Sequence, residues 1–212
     1  MRFVPVLALV VLALAAAGAA SASELQAVSL LASQDVSLPF MCSWGYDWEE
    51  RCYRDDFDRL EVGGVDDKVW RSALRFSLGA IPSSSTVVSA ELWLRYDGAC
   101  VAPHRRTVAC SGVGFDFEAR PIYTTRWESE REVAFGPAVS WAGLEPGAPS
   151  QWLVLDVTDL VGDWVSGGLA NDGLLVKLVD DEEAYDGGGP AFPSSSFPDA
   201  TVRPRLEVSY MR

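Results

Sequence analysis

The sequence predicts an all-β protein built as an antiparallel two-sheet sandwich with one short helix. Three observations favour this class. Apolar residues recur at every second position in several segments, clusters of Gly, Pro, Ser and Asp separate these segments, and a single segment has helical spacing. Half-buried strands of this kind stabilise one another by packing face to face around a shared core.

Residues 1–22 are predicted to be a secretory signal peptide rather than part of the fold. Arg2 precedes an apolar run, and small residues follow it at the spacing of a cleavage site, best at Ala20-Ser21-Ala22 and next best at Ala17-Gly18-Ala19. The alternative is an uncleaved anchor, since the run is long enough to span a bilayer. We expect residues 23–212 to form one domain, secreted or at the cell surface, without membrane insertion after cleavage.

Strand segments follow one another along the chain. Two of them, "QWLVLDV" and "GLLVKLV", are apolar on both faces and are predicted to be central strands, whereas Pro204 predicts an edge or a bulge in the last strand because proline donates no ladder bond. The alternating segments are "SALRFSL" with Leu74, Phe76 and Leu78 on one face, "TVVSAELWLRY" with Val88, Ala90, Leu92, Leu94 and Tyr96, "FDFEAR" with Phe115, Phe117 and Ala119, and "TVRPRLEVSY".

The segment "DVTDLVGDWVSGG" predicts the helix. Thr158 is expected to be its N-cap, Asp159 lies in the first turn, and Gly167 is expected to end it. One face carries its apolar residues, which are Leu160, Val161, Trp164 and Val165. Further on, the segment "DGGGPAFPSSSFPD" (186–199) predicts a long loop because it is rich in Gly, Pro and Ser.

Four cysteines predict disulfides in an exported chain. Cys42 and Cys52 enclose nine residues, and so do Cys100 and Cys110, which makes these the simplest pairs among three possible pairings. A zinc site is the alternative, with His104 as an additional ligand, although no C-x-x-C spacing is present.

The formal net charge of -13 excludes some partners. A chain this acidic repels nucleic acid and anionic membrane surfaces. We therefore expect no nucleic-acid partner.

The stretch "CSWGYDWEERC" is the strongest candidate for a ligand site. Trp44, Tyr46 and Trp48 alternate, so in an extended segment they share one face, and Tyr53 follows just after the second cysteine. Aromatic rings stack on the C–H faces of sugars, and a disulfide would hold the strip rigid. The alternative is that these aromatics fold back as a lid over the sandwich.

An acidic run at Asp180, Asp181 and Glu182 is the candidate metal site. Calcium prefers six to eight oxygen ligands from carboxylates and loop carbonyls, so a structural Ca²⁺ would suit these residues. The run matches no defined calcium loop, and the alternative is a solvated charge run. We expect no other cofactor.

Several segments together resemble the DNRLRE domain, also described as carbohydrate-binding module family 96. The family reads R-x-L-L-R-F-D-L, then x-L-P, then V-x-S-A-x-L-x-L, and this chain has "RSALRFSLGAIPSSSTVVSAELWL". Later it has Trp152, "LDVTDLVGDWVSG" and "NDGLLVKL", where the family has W, D-V-T-x-L-V-x-x-W and N-x-G-L-L-L. "TRWESEREVAF" is similar to the family's W-x-E-x-x-V-T-W, and "RPRLEVSY" to its last strand, so the resemblance covers about residues 34–210.

The resemblance implies a secreted β-sandwich of jelly-roll type that serves as a non-catalytic accessory module, and some such modules bind polysaccharides. Two departures stand out. The early Asn-x-Gly loop of the family is replaced by the stretch with Cys42 and Cys52, and "SSSFPD" lacks the Glu that often follows Ser. No family binding residue is carried over.

We expect a non-catalytic module that binds polysaccharide at or outside the cell surface. One alternative is a structural or adhesion domain that assembles with cell-envelope proteins. The other is a carbohydrate-active enzyme with a pair of carboxylates, because the single His and the lack of G-x-S-x-G and H-E-x-x-H disfavour other catalytic arrangements.

Overall fold

The computed structural model describes residues 24–41, 58–65, 68–102, 106–110, 114–126, 133–145, 150–179 and 189–212. These residues form thirteen strands, the helix α1 (Thr158–Ser166) and a 3₁₀ helix (Ala200–Val202). The strands are β1 (Leu25–Met41), β2 (Arg59–Glu61), β3 (Gly63–Val65), β4 (Lys68–Phe76), β5 (Thr86–Tyr96), β6 (Ala99–Ala102), β7 (Arg106–Ala109), β8 (Phe115–Pro121), β9 (Ser140–Leu144), β10 (Gln151–Asp156), β11 (Leu174–Leu178), β12 (Gly189–Pro193) and β13 (Arg205–Met211). Their pairings are all antiparallel, which confirms the predicted class.

Strand β1 divides the larger sheet into two halves. Its residues Leu25–Leu31 pair with β13, and Ala32–Met41 pair with β4. The first half-sheet has the order β10-β5-β13-β1, and the second continues as β1-β4-β11-β8-β9, with β3 attached to β4. A register shift between Ala32 and Gln34 marks the change of partner. The two half-sheets are the layers of the predicted sandwich.

The apolar core fills the space between the half-sheets. Leu92 and Leu206 enter it from the first half-sheet, and Phe76 and Phe117 enter it from the second. The helix adds the four residues that its spacing predicted, which are Leu160, Val161, Trp164 and Val165. The alternation therefore identified the buried face correctly in β8 and, from Ala90 onward, in β5.

A smaller, four-stranded sheet of order β2-β12-β6-β7 packs on the same core. Strand β12 lies inside the segment 186–199, so the prediction of a long loop there was wrong. Phe192 is fully buried against Phe117, with ring centres 5.5 Å apart, and this burial holds a Gly- and Pro-rich segment in a strand. Glycine is required at Gly189, because a Cβ there would overlap the carbonyl oxygen of Val62.

The Cys100–Cys110 disulfide closes the hairpin formed by β6 and β7. This confirms the predicted pairing for these two cysteines. The predicted Cys42–Cys52 bridge lies outside the described residues.

The positions of two strands correct the sequence predictions. Strand β10 lies at the end of its half-sheet instead of the centre. Its outer face is also apolar because Trp152 packs on Trp93 there. Strand β13 lies between β1 and β5 rather than at an edge, because it begins at Arg205, after Pro204. Strand β11 is central and fully buried, as predicted.

Val88 is 53% exposed although alternation placed it on the buried face of β5. The register explains the difference. Ser209 pairs with Ser89 and Tyr210 pairs with Val87, so Val88 is an extra residue in a β-bulge. A bulge reverses the face of the residues that precede it, which period-two counting does not detect.

Thr158 is the first residue of α1 and not the N-cap that the sequence predicted. Val157 occupies the N-cap position and makes no side-chain capping bond. The Thr158 hydroxyl instead accepts a hydrogen bond from the Ala90 amide at 2.9 Å, tying the helix to β5. At the other end Gly167 adopts a φ of 78° and ends the helix, as predicted.

A buried ion cluster lies on the outer face of the second half-sheet. Lys177 and Glu118 are cross-strand neighbours, and the lysine Nζ donates to Glu118 Oε1 at 2.9 Å. Arg120 Nε donates to the same oxygen at 2.7 Å. The side chains of Lys177 and Glu118 are 1% and 5% exposed. Paired charges of this kind become costly when one partner is removed, because the other remains buried.

The protonation of Glu118 depends on this cluster. Burial raises the pKa of Glu118, but the hydrogen bonds and charges of Arg120 and Lys177 outweigh burial and bring the pKa below its usual value of 4.5. Because the folded pKa is the lower one, the carboxylate stabilises the fold above pH 4.5, and this contribution disappears as the pH falls through the folded pKa.

We expect Glu118→Gln to lower the free energy of unfolding by about 3 kcal/mol at neutral pH, because Lys177 loses its buried counter-ion. Urea unfolding followed by circular dichroism measures the change. The matched control is Glu145→Gln, the same substitution at an exposed position just after β9. The variant should also lose less stability than the wild type on acidification. Equal unfolding midpoints for the wild type and Glu118→Gln would contradict the assigned role.

Candidate functional site

The site residues predicted from the sequence lie outside the described residues. This holds for the aromatic candidates Trp44, Tyr46, Trp48 and Tyr53 and for the metal candidates Asp180, Asp181 and Glu182. Among the residues that the structure describes, no group of three or more His, Cys, Asp and Glu side chains is arranged to hold a metal ion. The candidate site in the described residues consists of other side chains.

A cleft of about 410 Å³ opens where the two half-sheets meet at their far ends. Strands β9 and β10 are the last strands of the two half-sheets and lie side by side, but no ladder pairing between them is formed in the described structure. The cleft lies beside this unpaired seam and the start of α1. Its lining residues are Val139, Ser140, Trp141, Asp156, Val157, Thr158, Asp159 and Leu160.

Trp141 forms the aromatic wall of the cleft. Its strand, β9, alternates, with Ser140 and Leu144 buried and Trp141 on the outer face. The side chain is 65% exposed, more than any other large apolar side chain in the described residues. An indole held on a strand with its surface in solvent is available for stacking against a ligand.

Carboxylates and hydroxyls also line the cleft, at the end of β10 and the first turn of α1. The Thr158 amide and hydroxyl both donate to Asp156 Oδ1, at 3.0 and 2.6 Å. Asp159 is exposed one residue further along the helix. The helix N-terminus favours negative charge here. The cleft therefore combines one apolar stacking surface with acceptors that suit a ligand rich in hydroxyl groups.

Asp156 is held in its charged form. The hydroxyl of Thr158, and then its backbone amide, bring the pKa of Asp156 below its usual value of 3.8, against a smaller opposing effect of burial. The carboxylate is thus charged, and a hydrogen-bond acceptor, at neutral pH. This property does not suit a general acid, which must carry a proton near neutral pH.

We expect Thr158→Val to raise the pKa of Asp156 towards its usual value, because the variant removes the hydroxyl that makes the larger contribution. Thr158→Ser should keep the low pKa. Carboxyl ¹³C chemical shifts measured against pH give the values. Asp199 is an internal control, since its pKa is lowered in the same way by Thr201. An unchanged Asp156 titration in Thr158→Val would contradict this explanation.

A second aromatic group lies on the outer face of the first half-sheet. The guanidinium of Arg205 lies 4.4 Å from the ring centre of Trp152 and 5.1 Å from that of Trp93. Arg95 lies 5.4 Å from the same Trp152 ring, and the two indoles meet edge to face at 5.8 Å. Both indoles are half-buried. These rings mainly stack on one another and on arginine, so this face offers less free aromatic surface than Trp141 does.

The segments that resemble the DNRLRE pattern are neighbours in space. Strand β5 pairs with β10, and β4 pairs with β11. Arg75 joins several of them by donating to the side chain of Gln34 and to the carbonyls of Thr125 and Asp172. Asn171 donates to the carbonyl of Phe76 at 2.9 Å. These polar residues hold loops in place rather than line the cleft.

Sequence reasoning missed the cleft for a physical reason. Trp141 stands between Ser140, Ala142 and Gly143, side chains too small to cover an indole, and this local signal was available. The apposition of β9 with β10 was not, because it depends on the strand order of the whole sheet. Neither Asp156 nor Asp159 is distinctive among the many acids of the chain.

Comparisons with known proteins yield no family for this chain. No family model matches it, and no curated protein matches it. In the described residues, the helices are too short or too polar to cross a membrane.

Proposed function

We propose that the protein is a secreted, non-catalytic carbohydrate-binding module of the DNRLRE type, acting at or outside the cell surface, and that the glycan binds in the Trp141 cleft. The observation that carries this proposal is the exposed indole of Trp141 beside carboxylates and hydroxyls. A sugar ring presents a C–H face to the indole and hydroxyls to the acceptors, so both parts of the cleft have a partner.

The resemblance supports the same class of function. Its segments pair with one another in the sheets, as expected if they form the framework of one domain. Trp141 lies outside the quoted segments, so the ligand contact proposed here rests on the structure of this chain and not on the resemblance. The strip at Trp44, Tyr46 and Trp48 stays a second proposed contact.

We expect Trp141→Ala to weaken polysaccharide binding at least about tenfold, the loss that corresponds to about 1.4 kcal/mol of stacking. Electrophoresis of the mature protein through gels cast with polysaccharides measures retention. The matched control is Tyr123→Ala, which removes another exposed aromatic side chain that does not line the cleft. The double variant Trp44→Ala, Trp48→Ala tests the other strip, and gels with calcium or chelator test the proposed ion. Retention that Trp141→Ala leaves unchanged would reject the cleft as the site.

One observation favours assembly with cell-envelope proteins as a second candidate function. Leu25 and Leu31 are 60% and 51% exposed on the part of β1 that pairs only with β13 among the described strands. An exposed apolar edge of this kind can pair with another chain. A folded protein that self-associates, and loses association in Leu25→Lys, Leu31→Lys, without retention on any polysaccharide, would favour this function.

The cleft also contains two carboxylates, Asp156 and Asp159, which are the residue types that a glycosidase uses. A glycosidase needs one ionised and one protonated carboxyl group, and the lowered pKa of Asp156 fits only the ionised role, so Asp159 would have to be the acid. Measuring reducing ends after incubation with each retained polysaccharide separates binding from hydrolysis. Their release by the wild type and not by Asp159→Asn would replace the binding module with an enzyme.

A further inference from the structure

We propose that two copies of the chain form a dimer by pairing the first parts of their β1 strands, Leu25–Leu31, in antiparallel orientation about a two-fold axis at Val28. The partner of the exposed apolar edge is thus a second copy of the same chain. The dimer does not depend on the proposed function, because β1 and the cleft lie at opposite ends of the first half-sheet.

The backbone of this edge has hydrogen-bonding groups that no described strand uses. The Glu24 carbonyl accepts a hydrogen bond from the Arg212 amide. The Ala32 amide donates to the Pro204 carbonyl. Polar backbone groups alternate between the two sides of a strand, so the even-numbered residues in this part of β1 face β13. The odd-numbered residues point their amides and carbonyls to the other side, where pairing with β4 begins only at Ala32.

The edge lacks the features that keep edge strands of different molecules apart. Natural edges are protected by charged side chains, prolines or bulges. Residues 25–34 include no charged residue and no proline, and the pairing of Leu25–Leu31 with β13 has no register shift. Two copies that each have a net charge of -13 repel one another in general, and this uncharged strand is a place where they can meet without opposing charges of like sign.

The register about Val28 makes the edge complementary to itself. It pairs Leu25 with Leu31 of the second copy. It also pairs Ala27 with Ser29, so each residue whose backbone groups point outward from the sheet edge meets another such residue. Leu25 and Leu31 are 60% and 51% exposed, and in the dimer each covers the other. Shifting one copy by two residues breaks both leucine pairs.

The inner face of the edge adds a second apolar contact. Val28 and Leu30 are half-buried and pack against the core of their own chain. In the dimer Val28 contacts its counterpart across the two-fold axis, so the two cores extend towards each other. Apolar contacts on both faces of a paired strand are what a stable sheet requires.

The dimer contains one continuous sheet with the strand order β10-β5-β13-β1-β1-β13-β5-β10. Seven strand spacings separate the two β10 strands, which places the two clefts about 34 Å apart at the ends of the sheet. Both clefts stay open. A polysaccharide chain that reached from one to the other would be retained more strongly than by a single cleft, through avidity.

Sedimentation equilibrium of the mature protein measures the dimer. We expect a dissociation constant of about 10 μM, as for a small interface. Added salt should strengthen the dimer, because it screens the repulsion between two acidic copies. Leu25→Glu should weaken the dimer at least about tenfold. The matched control Val88→Glu, at an exposed apolar residue of β5, should leave it unchanged, and circular dichroism checks that each variant is folded.

A cysteine at the two-fold axis tests the register. The two Val28 residues form a pair without mutual backbone hydrogen bonds, with Cα atoms about 4.5 Å apart, which is within the range of a disulfide. Val28→Cys should therefore give a covalent dimer on a non-reducing gel after mild oxidation. Leu30→Cys, on the same face of the same strand, should not, because the two Leu30 residues lie about 14 Å apart in this register.

Several outcomes would overturn the dimer. A folded wild type that stays monomeric at about 100 μM, ten times the expected dissociation constant, would reject it. A dimer that Leu25→Glu leaves intact, or equal cross-linking of Leu30→Cys and Val28→Cys, would place the contact elsewhere and reject it too. None of these outcomes bears on the proposed function, which depends on the retention of Trp141→Ala by polysaccharides.

Discussion

The fold depends on one strand shared between two layers. The first part of β1 pairs with β13 and its second part pairs with β4. The backbone hydrogen bonds of this one strand therefore connect the two half-sheets. The change of partner is fixed locally, since the Ala32 amide donates to the Pro204 carbonyl and the Ser33 hydroxyl donates to the Arg75 carbonyl. With the middle of the strand path held in this way, its two ends, β9 and β10, are brought together.

The candidate site forms because the two ends of the strand path, β9 and β10, come together. The ends of the path approach each other without ladder pairing among the residues that the structure describes, and the start of α1 lies beside the cleft. Trp141 from β9 therefore lines the same cleft as Asp156 and Asp159, which come from the other layer and from the helix. Strand β9 supplies part of the cleft lining, and the end of β10 with the first turn of α1 supplies another part.

The outer faces of the two layers differ in whether their carboxylates are buried and paired with cations. On the second half-sheet, Glu118 is neutralised by Lys177 and Arg120 and is buried. On the first, Asp156 stays exposed and ionised beside Glu91. The first arrangement is stable because the charges are paired out of water, whereas the second leaves carboxylate acceptors at the surface.

The sequence by itself determined the class of fold, the buried faces of β5, β8 and α1, and the end of the helix at Gly167, because period-two and helical spacing and a left-handed glycine are local properties. It also favoured the Cys100–Cys110 bridge. Tertiary structure alone decided that β10 is terminal and β13 internal, that Val88 is bulged, and that "GPAFP" becomes a strand around buried Phe192. It alone also brought Trp141 to Asp156, because strands distant in sequence become neighbours through the register of every strand between them.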